Sequence, residues 1–346
     1  MTNHNVLAID LAKNVFQVCK FSRETNKVIY NKELSRKKLK ELLIREKISL
    51  VAMEACASAH YWARYAKEHG HEVKVINARA VKGFLVKQKT DKNDAHAIAI
   101  AATMVHIKSV GILTPEEQGL QSLERARELA KAHRTALSNQ IRGLLSEFGI
   151  VFAKGFASLN KELPFLLEDA ENNLPYNFRQ TLHQLWEMFH CYDENLKVLE
   201  KQVEQEVKQH SMCKKLMKLE GVGPIAALGL SIRLGAADTY NNGREAAANM
   251  GLTPKQHSSG GKENIGHISK NSADKRLRSV LFQGALSVIN SIENRPAKTN
   301  KELWLKALII RRGKKVAAIA FANKTVRTAY ALIKNKTEYA PVELIA

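Results

Sequence analysis

The first 110 residues carry their apolar positions in short runs broken by polar segments. Val6-Leu7-Ala8-Ile9 is continuous and ends at Asp10, the pattern of a strand buried on both faces. Val15 to Phe21 alternates and predicts a second strand. Lys27 to Lys32 predicts a third, across a Thr25-Asn26 turn. Ser35 suits the N-cap of a charged amphipathic helix carrying Leu39, Leu42 and Leu43. Leu50 to Met53 predicts a fourth strand, ending at Glu54. A helix over 57–69 stops at Gly70, and Val73 to Ile76 is a fifth strand. Helices over roughly 78–86 and 93–107 complete this region.

From Pro115 to Phe148 the period changes to that of one long helix, with Leu120, Leu123, Ala130, Leu137, Ile141 and Leu144. A stretch containing Gly155, Pro164 and Pro175 reads as loop-rich. Phe178, Leu182, Leu185, Phe189, Tyr192, Leu196, Leu199 and Val203 then follow in steps of four and three. That heptad seam predicts a coiled coil between copies of the chain, or a helix packed within its own monomer. From Met212 the chain is basic and helical. Gly221-Val222-Gly223-Pro224 reads either as a hairpin whose amides face a phosphate or as a plain helix break. Residues 251–270 read as a glycine- and serine-rich loop, before helices near 272–290, 301–311 and 314–335.

Three strands, helix, strand, helix, strand is the element order of a ribonuclease-H-like fold, in which the fourth strand lies parallel beside the first. The expected organisation is α/β plus α. A ribonuclease-H-like domain is expected over 1–110, a helical coiled-coil spacer over 111–211, and a helical C-terminal domain over 212–346.

Charge sharpens this division. The chain of 346 residues has a formal net charge of +20. Residues 1–100 hold 19 basic against 10 acidic residues, 101–210 hold 12 against 15, and 211–346 hold 23 against 9. Two basic ends around a mildly acidic middle suit a protein that grips nucleic acid at two places. Cys19, Cys56, Cys191 and Cys213 form no CxxC pair or zinc-like spacing, so they read as thiols in a reducing compartment. No signal pattern or membrane-length apolar run is present, and the expected location is cytoplasmic.

Four acids stand out by position. Asp10 and Glu54 each end an apolar strand, and Asp91 and Asp94 share a face at a helix start. An acid at a strand end is commonly a solvated loop residue, and acids favour helix N-termini for the dipole alone. If the first and fourth strands are neighbours, however, all four converge. They then repel one another unless a hard cation such as Mg²⁺ lies between them. Two such ions would serve phosphoryl transfer. Lys13, Lys87, Lys89 and Lys92 lie near these acids and suit contacts to a nucleic-acid backbone.

Ala8-Ile9-Asp10-Leu11-Ala12-Lys13, Met53-Glu54-Ala55-Cys56 and Lys89-Thr90-Asp91-Lys92-Asn93-Asp94-Ala95 resemble the motifs of the DEDD transposases of bacterial insertion sequences, whose relatives include pilin-gene invertases. Gly251-Leu252-Thr253-Pro254, Ser259-Gly260-Gly261-Lys262 and Arg276-Leu277-Arg278 resemble the second domain of that family. The resemblance implies a RuvC-like nuclease fold, a coiled-coil spacer and a helical transposase domain. It implies Mg²⁺ (or Mn²⁺) on Asp10, Glu54, Asp91 and Asp94. It also implies a serine, Ser259 or the adjoining Ser258, that becomes covalently linked to DNA. It further implies a structured guide RNA and a homo-oligomer, dimer or tetramer, that assembles on element ends and target. Lys262 and the forked side chains of Arg276 and Arg278 are then candidates for binding the nucleic acid. No His–Asp pair adjoins Ser259, although His257 and His267 are close, so activation by the carboxylate site is expected.

Three rival readings use the same residues. A junction resolvase would employ the carboxylates with water as nucleophile. An Asp-Asp-Glu transposase would need the glutamate last, whereas here it comes second. A non-catalytic scaffold would keep only the basic ends.

Overall fold

The computed structural model describes residues 5–86, 88–235, 237–268 and 274–343. They form two compact units, one of Met1–Gln118 with Leu234–Asn241, the other of Gly119–Arg233 with Asn242–Ala346.

The first unit is built on β1 (Val6–Asp10), β2 (Val15–Ser22) and β3 (Lys27–Ser35), followed by α1 (Arg36–Arg45), β4 (Leu50–Glu54), α2 (Ala59–Glu68) and β5 (Glu72–Ile76). Two further helices follow, α3 (Ala78–Lys82) and α4 (Asp91–Thr103). The sheet order is β3-β2-β1-β4-β5. β1 pairs antiparallel with β2 and parallel with β4, with Ile9 opposite Met53. The central position of β1 explains its unbroken apolar sequence, since helices cover both faces. Leu7, Ile9, Phe16, Val51 and Met53 pack with Leu39, Leu43 and Trp62 of α1 and α2. Val6, Ala8, Cys19 and Ala52 pack with Ala95, Ile98 and Ala99 of α4. The small alanines of α4, all nearly inaccessible, let that helix lie close on the sheet.

The second unit begins in α5 (Pro115–Ser146), then α6 (Phe156–Glu168), α7 (Tyr176–Gln209), α8 (Ser211–Leu216), α9 (Pro224–Leu234) and α10 (Gly243–Asn249). A two-stranded hairpin, β6 (Pro254–Ser259) and β7 (Lys262–Ile268), precedes α11 (Lys275–Glu293), α12 (Asn300–Arg312) and α13 (Lys314–Asn335). α13 packs on α10, α11 and α12.

Two sequence expectations are corrected here, and a third, left open between two readings, is narrowed. The heptad seam is real, but Leu182 and Phe189 pack with Ile141 and Leu145 of α5 and Leu159 and Leu163 of α6 within the same chain. Arg127 pairs with Glu200 at 2.8 Å and Arg134 with Asp193 at 2.6 Å, so α5 and α7 run antiparallel and cover the seam themselves. The Gly155–Pro175 stretch contains α6, with Pro164 inside it; the burial of Leu159 and Leu163 outweighs the lost backbone donor. Residues 254–268 are paired strands, not loop. Their side chains are almost all exposed, so no apolar alternation announces them.

The Gly221-containing turn has a packing explanation. Gly221 has φ +75°, and a Cβ there would lie 2.7 Å from the Gly284 carbonyl oxygen of α11. A Cβ on Gly284 would in turn overlap the Gly221 carbonyl. Two backbones meet directly, and only glycine permits it at either position.

Candidate functional site: an acidic sheet end and a serine hairpin

Side chains alternate across a strand, and that period places the acids. Leu7 and Ile9 face α1 and α2, so Val6, Ala8 and Asp10 face α4. On β4 the same alternation puts Ala52 and Glu54 on the α4 side. Register makes Asp10 and Glu54 successive neighbours on adjacent parallel strands, one step beyond the Ile9–Met53 pair. α4 brings the remaining two. Thr90 caps it by accepting a bond from the Asn93 amide at 3.3 Å, so Asp91 and Asp94 fall in its first turn.

Oxygen atoms of Asp10, Asp91 and Asp94 all lie within 4.8 Å of one another. Glu54 is not one of that set, though its charge acts on Asp10. Burial pushes the Asp10 carboxyl up from 3.8 to about 6, helped by the charges of Asp94, Asp91 and Glu54 and opposed by Lys89. The protonated form of Asp10 is thus favoured relative to a free carboxyl, and a cation there would relieve the same repulsion. The donors fit Mg²⁺ chemically, because all are hard carboxylate oxygens. Adjacent oxygens around an octahedral Mg²⁺ lie roughly 3 Å apart, so the cluster would draw inward to hold one.

Two residues missed in the sequence hold this arrangement. Gln17 lies opposite Asp10 in the ladder and is 3% exposed. Its Nε2 donates to Asn31 Oδ1 at 2.6 Å, and Asn31 Nδ2 donates to the Lys92 carbonyl at 2.9 Å. A chain of hydrogen bonds therefore runs from the strand beside Asp10, through β3, to the start of α4. Ordinary strand polar residues give no sequence signal for such a role.

The cationic candidates near the acids are exposed. Lys13 follows β1, and its carbonyl accepts from Arg36 at 3.4 Å. Lys89 and Lys92 flank the α4 N-terminus. Lys87 lies outside the described residues.

In the second unit, Ser259 ends β6 and pairs in register with Lys262 across Gly260-Gly261. Both glycines have positive φ, 56° and 77°, as a two-residue hairpin turn of the primed type demands. Ser258 accepts a bond from Gln256 Nε2 at 3.1 Å. Ser259 therefore stands at the tip of a projecting ribbon with Lys262 beside it. Arg276 and Arg278 lie in the first turn of α11, whose N-cap Asp274 accepts from the Leu277 amide at 2.9 Å and pairs with Arg233 at 2.9 Å. Arg276 is near Glu124, whose carboxyl is raised by burial and by Asp274 and lowered by Arg276.

The comparisons with known proteins cover both units. Residues 7–150 match a DEDD-type transposase family model, and residues 213–301 match the transposase IS116/IS110/IS902 family. The chain is similar to a probable family 20 transposase of Pseudomonas aeruginosa, 36% identical over 98% of this chain and 99% of that one. It is also similar to the transposase for insertion sequence element IS1111A of Coxiella burnetii, 35% identical over 98% and 92%. The chain belongs to the IS116/IS110/IS902 family of transposases. A pilin gene-inverting protein of Moraxella bovis is a more distant relative, 23% identical over 96% of this chain and 97% of its own.

This transposase is therefore a DNA-processing enzyme, and its sheet end carries a cluster of three acids, Asp10, Asp91 and Asp94. No helix among the described residues is long and apolar enough to cross a membrane.

Proposed function

We propose that this transposase cleaves and rejoins DNA with Asp10, Glu54, Asp91 and Asp94 as the divalent-metal ligands and Ser259 as the nucleophile. A phosphoester bond to the Ser259 oxygen forms as a backbone phosphoester bond of the DNA breaks, conserving that bond for rejoining. Lys13, Lys89, Lys92, Lys262, Arg276 and Arg278 hold the nucleic-acid backbone. Residues 1–110 form the RuvC-like catalytic domain, 111–211 the helical spacer, and 212–346 the domain that presents the serine. The enzyme acts in the cytoplasm as a homo-oligomer on element ends and target, guided by a structured RNA.

The observation that carries this reading is the approach of three carboxylates to within 4.8 Å, at a sheet end where half-burial disfavours the charge of Asp10. Mg²⁺ or Mn²⁺ held there would polarise a phosphoryl oxygen and stabilise the charge that develops on it. Glu54, one residue beyond Met53 on the neighbouring strand, would complete the set. Ser259 is favoured over Ser258 because it adjoins the glycine turn, whereas the Ser258 hydroxyl is engaged by Gln256.

The test is to incubate the protein with element-end DNA, the flanking RNA and Mg²⁺, and to map any covalent protein–DNA adduct. An adduct on Ser259 supports the proposal. Strand cleavage without an adduct would replace it with a resolvase-like reaction using water.

A further inference from the structure

A large groove lies against one face of α13, between α10, α12 and the root of the β6–β7 hairpin. Its volume is about 1420 Å³. Small-molecule sites occupy roughly 300–1,000 Å³, so this groove suits a segment of a polymer better than a metabolite. Arg244, Lys315, Lys324, Arg327 and Lys334 line it, and none of the described residues lining it is acidic. Its floor is apolar, with Trp304, Val316, Ile319 and Ala320. The Lys324 ammonium lies 4.4 Å from the centre of the Trp304 ring. Burial, together with the charges of Lys301 and Arg327, pushes the Lys324 amine below its ordinary value.

The walls are formed in advance. Asn323 of α13 donates to the Leu252 carbonyl at 3.1 Å, tying the hairpin root to the helix. A Cβ on Gly243 would come within 3.0 Å of the Arg327 Cα, so α10 is close against α13. Pro254, Gly266, His267 and Ile268 of the hairpin form one side of the groove. Ser259 is five residues along the same strand from Pro254.

We propose that this groove binds single-stranded DNA, with phosphates on Arg244, Lys315, Lys324 and Arg327 and an unstacked base against Trp304. A duplex turns its phosphates outward and hides its bases, and would leave an apolar floor uncovered. A single strand offers both charge and aromatic faces to such a site. DNA rather than RNA is the occupant because the groove runs into the ribbon that bears Ser259; on this point the inference rests on the function proposed above.

The test measures binding of the full-length protein in EDTA, by fluorescence anisotropy. The labelled probes are oligothymidylate of about 12 nucleotides, oligouridylate of equal length and a DNA duplex of equal length. Oligothymidylate should bind at least about tenfold more tightly than the duplex. Lys324→Gln/Arg327→Gln should lose about tenfold for it. The slope of log affinity against log salt should fall by about 1.4, the loss of two single-strand phosphate contacts. Trp304→Leu should lose about tenfold with that slope unchanged, and Trp304→Phe should recover most of the loss. The control Lys214→Gln/Arg312→Gln, outside the groove, should lose less than about threefold.

Equal losses in the two double variants, or a duplex bound as tightly as the single strand, would overturn the proposal. Tighter binding of oligouridylate would overturn the assignment to DNA. Circular dichroism melting checks that each variant is folded. Because neither metal nor chemistry enters the assay, failure to find a Ser259 adduct leaves this result standing, and the reverse also holds.

Discussion

Asp10 and Ser259 occupy opposite kinds of ground. Asp10 ends a strand flanked on both sides, beneath a helix whose alanines are fully packed, beside Gln17 and its hydrogen-bonded chain to α4. Ser259 ends a two-stranded ribbon whose side chains are almost entirely exposed. Two-stranded hairpins are at best marginally stable alone, so the ribbon depends on its glycine turn and its root for order. The contrast separates two needs. A cluster of like charges must be held rigidly, because every member would otherwise relax away. The serine proposed as nucleophile would need reach to a DNA backbone, and an exposed arm offers it.

The sharpest way to break this contrast is at the arm. Ser259→Ala is expected to reduce strand cleavage at least about a thousandfold, while Ser258→Ala stays within about tenfold, measured on element-end DNA with RNA and Mg²⁺. Equal losses would mean that the ribbon matters as a whole and the serine does not.

Gly284→Ala comes next, because at this position two backbones are in direct contact. The new methyl would overlap the Gly221 carbonyl and should cost about 3 kcal/mol in denaturant unfolding. Gly119→Ala in α5, where a Cβ meets nothing, should instead stabilise by about 0.5 kcal/mol or more.

The third prediction concerns the rigid side. Asn31→Leu removes the link to the Lys92 carbonyl and frees the start of α4. Mn²⁺ affinity should fall about tenfold with the fold intact by circular dichroism, as outer-shell partners of metal ligands commonly show. Unchanged affinity would mean that the sheet end alone aligns the acids.

The smallest effect is in pH. Asp10 is raised above its ordinary value of 3.8 to about 6 in the folded chain, so folding favours its protonated form. Stability from this group is therefore present below about 4 and lost as pH rises through about 6. Thermal melting without metal should show that decline; Mg²⁺ should reverse it, and Asp10→Asn should abolish it.

The same contrast explains what the sequence could reveal. The sheet and its acids were legible because buried strands need continuous apolar runs, and an acid that interrupts such a run is conspicuous. Asp10 and Glu54 stand out in that way, and Asp91 and Asp94 by their shared face at a helix start. The hairpin looks like loop in the sequence because Pro254–Ser259 buries neither face, and only Gly260-Gly261 marks its turn. The seam on α7 had the right period, but periodicity cannot say whether the covering helix belongs to the same chain, and α5 and α6 do. α6 was hidden by Pro164, whose local cost is outweighed by contacts distant in sequence. Gln17 and Asn31 were invisible because their role exists only in the register of three strands. The groove had left a trace: Lys324, Arg327 and Lys334 recur at helical spacing along one face of α13.

A metal titration reaches the central claim most directly. Mn²⁺ binding to the full-length protein, followed by calorimetry, should be readily measured in the wild type and weakened at least about tenfold by Asp10→Asn and by Asp94→Asn. If both variants bound Mn²⁺ as the wild type does, the carboxylates gathered at the sheet end would not be the metal site, and the catalytic account built on them would fail.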